Sequence, residues 1–372
     1  MKGSGPSFRL AHLSDKTLNG PKIGPDPALL KPARFAPRSA FTLTELLVVI
    51  TIIAILTSLI TVAAVNALRT AKQARITMEM QQISNALENF KNNYGSYPPN
   101  VFPLGSLNTN QQKKTAAQDL QRFMKKAFSR STEFQINMSG AAPQRNGTFA
   151  NDNLYPILNT GLSPAEALVF WLQGFSQDVR RPLTGTDLVN PTNVNDPVTF
   201  DVRQPLFEFD QSRIKPSLDE SGNPRFVTLN RALPAATEVR IPLYQYFPPG
   251  SEQPLAYFDV SRRTPSQVAT TYPTGEFFFN PTGSDMVVAM KKTKASASTN
   301  PTNLLDNFEY VEQGKFQLLH CGLDDIWGMF ALNSQLNLSN APQLIFPDGP
   351  FIGDIGDTLT SYTTGTLEEA QE

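Results

Sequence analysis

The sequence predicts an α+β protein: one long N-terminal helix, then a globular part built from short strands with inserted helices and loops. Three observations carry that class. An unbroken apolar run starts at Phe41, an amphipathic stripe extends the same helix to Tyr94, and beyond Asp178 short strand-like runs alternate with Pro and Gly. The chain has 372 residues, of which 40% are apolar, enough for one large core or two small ones behind the helix. Its 30 Pro and 22 Gly make that part rich in loops and irregular strands.

The apolar run is Phe41 to Leu68, FTLTELLVVITIIAILTSLITVAAVNAL, and Glu45 is its only charge. From Leu46 to Val65 there are 20 consecutive uncharged residues, the length an α-helix needs to cross a bilayer. An isolated carboxylate at the edge of such a segment is costly to bury and marks a functional site. Residues 1–40 mix Pro, Gly, Lys and Ser without apolar periodicity and read as a disordered leader. They hold seven basic residues against two acidic ones, net +5; the whole chain is −1, so the remainder is −6. A mature part of that sign lacks the basic surface that nucleic-acid binding needs, and no nucleic acid is expected as a partner. Flanking charge leaves the orientation open, with Lys31, Arg34 and Arg38 before the run and Arg69, Lys72 and Arg75 after it.

Beyond the run, Ile76, Met80, Ile83, Leu87, Phe90 and Tyr94 recur at spacings of 4, 3, 4, 3 and 4. That is a single apolar stripe on a helix, fit to pack on the chain's own globular part and too short for a coiled coil. Gly95-Ser96-Tyr97-Pro98-Pro99 ends it, because the prolines lack the amide a helix requires. Phe41 to Tyr94 as one helix would be about 80 Å long.

Thr115 to Phe128 places Leu120, Phe123, Met124 and Phe128 near one face of a further helix, with Lys125, Lys126 and Arg130 on a solvated side. Asn137 to Asn153 reads as loop. Ser163-Pro164-Ala165-Glu166 is a capping box with Pro in the first turn, opening a helix that Gly174 stops. Seven strands follow: Val198–Val202, Leu206–Phe209, Glu238–Phe247 (interrupted at Pro242), Leu255–Val260, Glu276–Asn280, Met286–Lys291 and Lys315–Cys321. Lys292 to Asn303 reads as a loop tip. The aromatics at strand spacing, Tyr244 to Phe279, read as core.

Cys321 is the only cysteine, so no intramolecular disulfide forms. It reads as a small buried residue. His320 beside it finds no further His beyond His12, which excludes a four-ligand zinc site. Nucleophile-elbow, Walker, His-Glu zinc and dinucleotide-fingerprint motifs are missing, and the protein is not expected to be an enzyme. A membrane-tethered hydrolase has only unplaced pairs of acids behind it. From Ala341 to Glu372 there are six acids and neither Lys nor Arg.

Basic leader, small residue, Phe-Thr-Leu-Thr-Glu and apolar helix, from Arg38 to Val65, resemble the N-terminal signal of the type IV pilin and type II secretion pseudopilin family. A helix that ends in Gly and then Tyr-Pro resembles the major pseudopilins. The resemblance implies a domain order of 1–40 cytoplasmic leader, 41–68 membrane and filament-core half of the first helix, 69–95 its amphipathic half, and 96–372 a pilin-like globular domain with an antiparallel sheet. It also implies that a prepilin peptidase cuts between Ala40 and Phe41 and methylates the Phe41 amine. Ala40 departs from the Gly that the family normally has there. Glu45, fifth in the mature chain, would pair with the Phe41 amine of a neighbouring subunit and set the register. Implied partners are the peptidase, copies of this chain and other pilin-like subunits, an inner-membrane assembly platform and membrane lipid, with the C-terminal domain in the periplasm or on a filament.

The C-terminal Asp-rich loops also resemble pseudopilin loops that bind calcium, which assigns Asp324, Asp325, Asp348, Asp354 and Asp357 as calcium ligands; no other cofactor is expected. The same acids read equally as turn formers on a solvated tail. Three functions stay open at this point: a structural filament subunit serving type II-like secretion, a minor tip subunit whose large domain binds a ligand or secreted substrate, and an unprocessed single-pass membrane anchor.

Overall fold

The computed structural model describes residues 41–107, 109–145, 152–185, 203–231, 237–262, 278–279, 287–298, 307–328, 345–351 and 353–371. The leader 1–40, the strand expected at Val198–Val202 and residues 299–303 of the expected loop tip lie outside them. The chain divides into two compact units, Met1–Ile60 and Thr61–Glu372.

In the first unit the described residues are the start of helix α1 (Leu43–Tyr94), and every residue from 43 to 60 is exposed. The α1 helix is long and apolar enough to cross a membrane. In the second unit the rest of α1 buries Ile76, Met80, Ile83, Ala86, Leu87 and Phe90, the stripe legible in the sequence. The Gly95 N–H closes the last turn on Lys91 O at 2.7 Å, with Gly95 at φ +79°, a left-handed conformation that suits glycine. The Tyr-Pro-Pro segment that follows is pinned to the domain: Trp171 Nε1 donates to Pro99 O and the Tyr257 hydroxyl to Pro98 O.

Three more helices are α2 (Asn110–Ala127), α3 (Leu154–Thr160) and α4 (Pro164–Leu172). α2 starts five residues before the expected Thr115, because Thr109 and Gln112 form a capping box there. α4 is capped as its sequence predicts, by Ser163 and Glu166, and is buried throughout.

The strands are β1 (Phe175–Ser176), β2 (Arg203–Gln204), β3 (Ile214–Pro216), β4 (Phe226–Arg231), β5 (Thr237–Pro242), β6 (Tyr244–Tyr246), β7 (Ala256–Asp259), β8 (Phe278–Phe279), β9 (Val287–Val288), β10 (Lys291–Thr293), β11 (Phe308–Tyr310), β12 (Phe316–His320) and β13 (Leu359–Thr360). Among the described residues the paired strands run antiparallel, and an isolated parallel bridge joins Lys291 of β10 to Ile345. β5 and β6 are the expected Glu238–Phe247 run, divided at Leu243 just after Pro242. Met286–Lys291 also divides, into β9 and the start of β10. Leu206–Phe209 is not a strand: Leu206 and Phe207 give their N–H groups to Leu172 O at the end of α4, and Phe209 is buried.

The sheet that organises the domain has the order β13-β12-β7, with Leu318 opposite Tyr257 and His320 opposite Leu359. Both of its faces are covered. Tyr257, Phe316 and Leu318 join the core formed with α1, α2 and α4. The alternate residues Ala256, Phe258, Leu319 and Cys321 join a second core with Val287, Trp327, Phe351 and Leu367. Burial on both faces explains why β12 reads as a continuous apolar run. Gln317, wholly buried on the second face, is satisfied by Met290 N and O and Val311 O. The result is an α+β fold of pilin-like layout, one long apolar N-terminal helix and antiparallel sheets.

Candidate functional site

Phe41 and Glu45 stand at the exposed start of α1; Ala40 lies outside the described residues. Glu45 Oε2 accepts the Thr42 N–H at 2.9 Å and the Thr42 hydroxyl at 2.8 Å, and Thr42 Oγ1 accepts the Glu45 N–H at 3.2 Å. That is a capping box. It ties the only carboxylate of the apolar run to Thr42, the residue after Phe41, at the positive end of the helix dipole. The Thr-x-x-Glu signature stands in the sequence at Thr42–Glu45, so the box was readable from spacing alone. The residues that follow on the helix, 46 to 60, are all exposed.

The predicted calcium ligands do not act as one group. Asp324, Asp354 and Asp357 gather with Glu368, which spacing did not reveal. Burial, then the neighbouring Asp324 and Glu368, push the Asp357 carboxyl above its ordinary value, while Arg69 of α1 pulls it down. The gathering depends on Gly322 at φ +96°: a Cβ there would stand 2.3 Å from Asp357 O. Asp325, at φ +60°, turns elsewhere. It accepts the Ser251 hydroxyl, the Glu252 N–H at 3.1 Å, and Lys72 of α1 at 3.6 Å. Asp348 is exposed on the turn that Gly349 N–H closes onto Ile345 O.

Ser251, His320 and Asp325 invite comparison with a hydrolytic triad, but the protons run the wrong way. His320 Nδ1 accepts the Gly322 N–H at 3.1 Å, so the neutral ring carries its proton on Nε2 and donates to Ser251 Oγ at 2.9 Å. Ser251 in turn donates to Asp325. A nucleophilic serine requires the opposite, an imidazole that accepts from it. Burial pushes His320 down to about 4 and the Cys321 thiol up. His320, Cys321 and Asp325 bring their ligand atoms within 4.8 Å of one another. Both His320 nitrogens are nevertheless engaged, and a metal would have to displace one of those bonds. The relay is a structural tie: Lys72 also donates to Leu323 O at 3.0 Å, so α1 holds the loop after β12 by two bonds.

An exposed apolar helix that begins with a capped carboxylate and leads into an α+β domain fits the layout of a membrane-anchored, pilin-like protein. Residues 36–61 match the family model of the prokaryotic N-terminal methylation motif, the signature of the prepilin-type signal of type IV pilins and pseudopilins. No curated protein and no solved structure matches the chain.

Proposed function

We propose that the chain is a structural subunit of a pseudopilus or type IV pilus-like filament, assembled from the inner membrane after processing between Ala40 and Phe41, and serving type II-like protein secretion. The observation that carries this reading is the methylation motif running into helix α1, whose residues 46–60 are uncharged and exposed. Such a surface is stable only in lipid or against other apolar helices. Before assembly lipid covers it, with the C-terminal domain in the periplasm; in the filament, neighbouring α1 helices do. Glu45 then pairs with the Phe41 amine of a neighbour and fixes the axial register, since an unpaired charge in that setting is penalised.

The test is the N-terminal peptide of the membrane-extracted protein, read by mass spectrometry. A chain that starts at N-methylated Phe41 is the expected result; an intact residue 1–40 leader would overturn the filament reading in favour of a plain membrane anchor. The second core favours a second reading, a minor tip subunit that uses the enlarged domain to bind a ligand or secreted substrate. Abundance separates the two, because a filament-forming subunit must far exceed its assembly machinery. Calcium at Asp324, Asp354 and Asp357 is a further proposal supported by the all-oxygen donor set. It predicts a higher Tm in millimolar calcium than in a chelator.

A further inference from the structure

A groove of about 550 Å³ opens between the C-terminal half of α2 and the segment that follows it, to residue 136. Its floor is apolar: Met124 and Phe134 are buried, and Phe128 and Ile136 are half-buried beside them. Both walls are fixed from behind. The Phe128 N–H closes the last turn of α2 on Met124 O at 2.8 Å, and the Thr132 N–H binds Arg180 O at 3.0 Å. The buried Glu133 carboxylate accepts the Leu183 and Thr184 N–H groups at 3.0 and 3.1 Å. Ser131 is spent on the same wall, donating to Arg180 O and accepting the Glu133 N–H. The rim differs from the walls. Gln121 and Lys125, one turn apart on α2, line one side, and Ser129 and Gln135 line the other. Among the described residues these four side chains make no hydrogen bond or ion pair, and Lys125 is the one charge that lines the groove.

We propose that this groove binds an extended polypeptide segment of a partner protein, one that carries a bulky apolar side chain beside an acidic residue. The proposal rests on the tip-subunit reading and names the class of secreted substrate such a subunit takes. The floor has room for a large side chain with the backbone on either side of it, and Met124 adapts to its shape. The two Gln amides each offer a donor and an acceptor, the same pair that every peptide unit presents. A hydrocarbon tail laid along the groove would instead desolvate those amides without giving them partners, which is costly. Lys125 attracts an acid next to the apolar residue and repels a basic one. Walls that are already hydrogen-bonded need little ordering on binding, so the segment alone loses freedom.

The experiment uses the full chain in lipid nanodiscs and reads the fluorescence anisotropy of a dansyl-labelled octapeptide centred on Asp-Phe-Asp. Counterpart peptides centre on Asp-Ser-Asp and on Lys-Phe-Lys. The Asp-Phe-Asp peptide is expected to bind roughly tenfold more tightly than either counterpart at low salt. Lys125 is exposed, so Lys125→Glu keeps the fold, and it should reverse the preference between the Asp and Lys peptides. Gln121→Ala with Gln135→Ala should weaken both of them. Equal binding of the Phe and Ser peptides, or a Lys125→Glu variant that binds all three as the parent does, would overturn the site. Displacement by octanoate with no preference among peptides would overturn the peptide assignment in favour of an anionic amphiphile. Lower filament yield in Lys125→Glu without peptide binding would overturn it in favour of a second copy of this chain. Abundance keeps the two readings apart. A scarce subunit that binds none of the peptides would overturn the groove alone; an abundant subunit that binds them would keep the peptide site and overturn the tip reading.

Discussion

Two side chains decide most at the residue scale. The Glu45 oxygen caps the helix through Thr42, and in the function proposed above its charge partners a neighbour's Phe41 amine. Glutamine serves a capping box as well as glutamate but carries no charge. Glu45→Gln should therefore insert into the membrane normally and be as defective in filament yield as Glu45→Ala. A glutamine variant that assembles like the parent would assign Glu45 to capping alone. His320 is the second. Burial holds its folded value at about 4, below the ordinary value of 6.5, with Asp325 opposing and Lys72 reinforcing the shift. A lowered histidine contributes stability that is full above pH 6.5 and is lost as pH falls towards 4, by about 3 kcal/mol in all. His320→Gln should flatten the acid limb of a Tm-against-pH profile; an unchanged limb would place the acid sensitivity in other groups.

At the scale of elements, α4 shows how a local signal is tied into the whole. Its capping box follows from four consecutive residues, yet Glu166 is wholly buried and also meets Arg225 Nη1 at 2.5 Å, while Arg225 Nη2 donates to Thr160 O at the end of α3. Removing Ser163 removes one cap, at about 1 kcal/mol. Removing Glu166 leaves a guanidinium without its buried partner, at about 3 kcal/mol or more. Thermal melts of Ser163→Ala and Glu166→Ala should rank in that order. The contrast also tells what the sequence could reveal. Caps and apolar periodicity are local, so α1, α2 and α4 could be read, to within the Thr109 box. α3 has seven residues with Pro156 inside it and no side-chain cap, too little for periodicity to register. β13 has only two residues and gains its order from β12, whereas β4 alternates Val227 and Leu229 inward, a short period-two pattern that is legible in the sequence although the seven expected strands omit it. Ion partners are harder still: Lys72 and Asp325 are about 250 positions apart, and no spacing rule links them.

For the whole molecule, the sharing of β12 between two cores should make the second unit melt as one. Leu168 belongs to the core with α1, Phe351 to the other, and each is fully buried. Leu168→Ala and Phe351→Ala should each cost about 3 kcal/mol. Both should lower one common transition, with near- and far-ultraviolet circular dichroism coinciding. Two separate transitions would show that the cores are independent.

The order β13-β12-β7 has a consequence for how the protein is made. Residues 256–259 wait for partners at 316–320, and these in turn for 359–360, while Leu367 seals the second core. Synthesis delivers α1 first and its lining last, so the apolar helix meets the membrane long before the domain that covers its second half can close. A premature stop ahead of Leu367 should therefore yield a chain that is correctly inserted and yet open to proteases. Membrane targeting and domain quality control are separated in time by the synthesis of everything between α1 and Leu367.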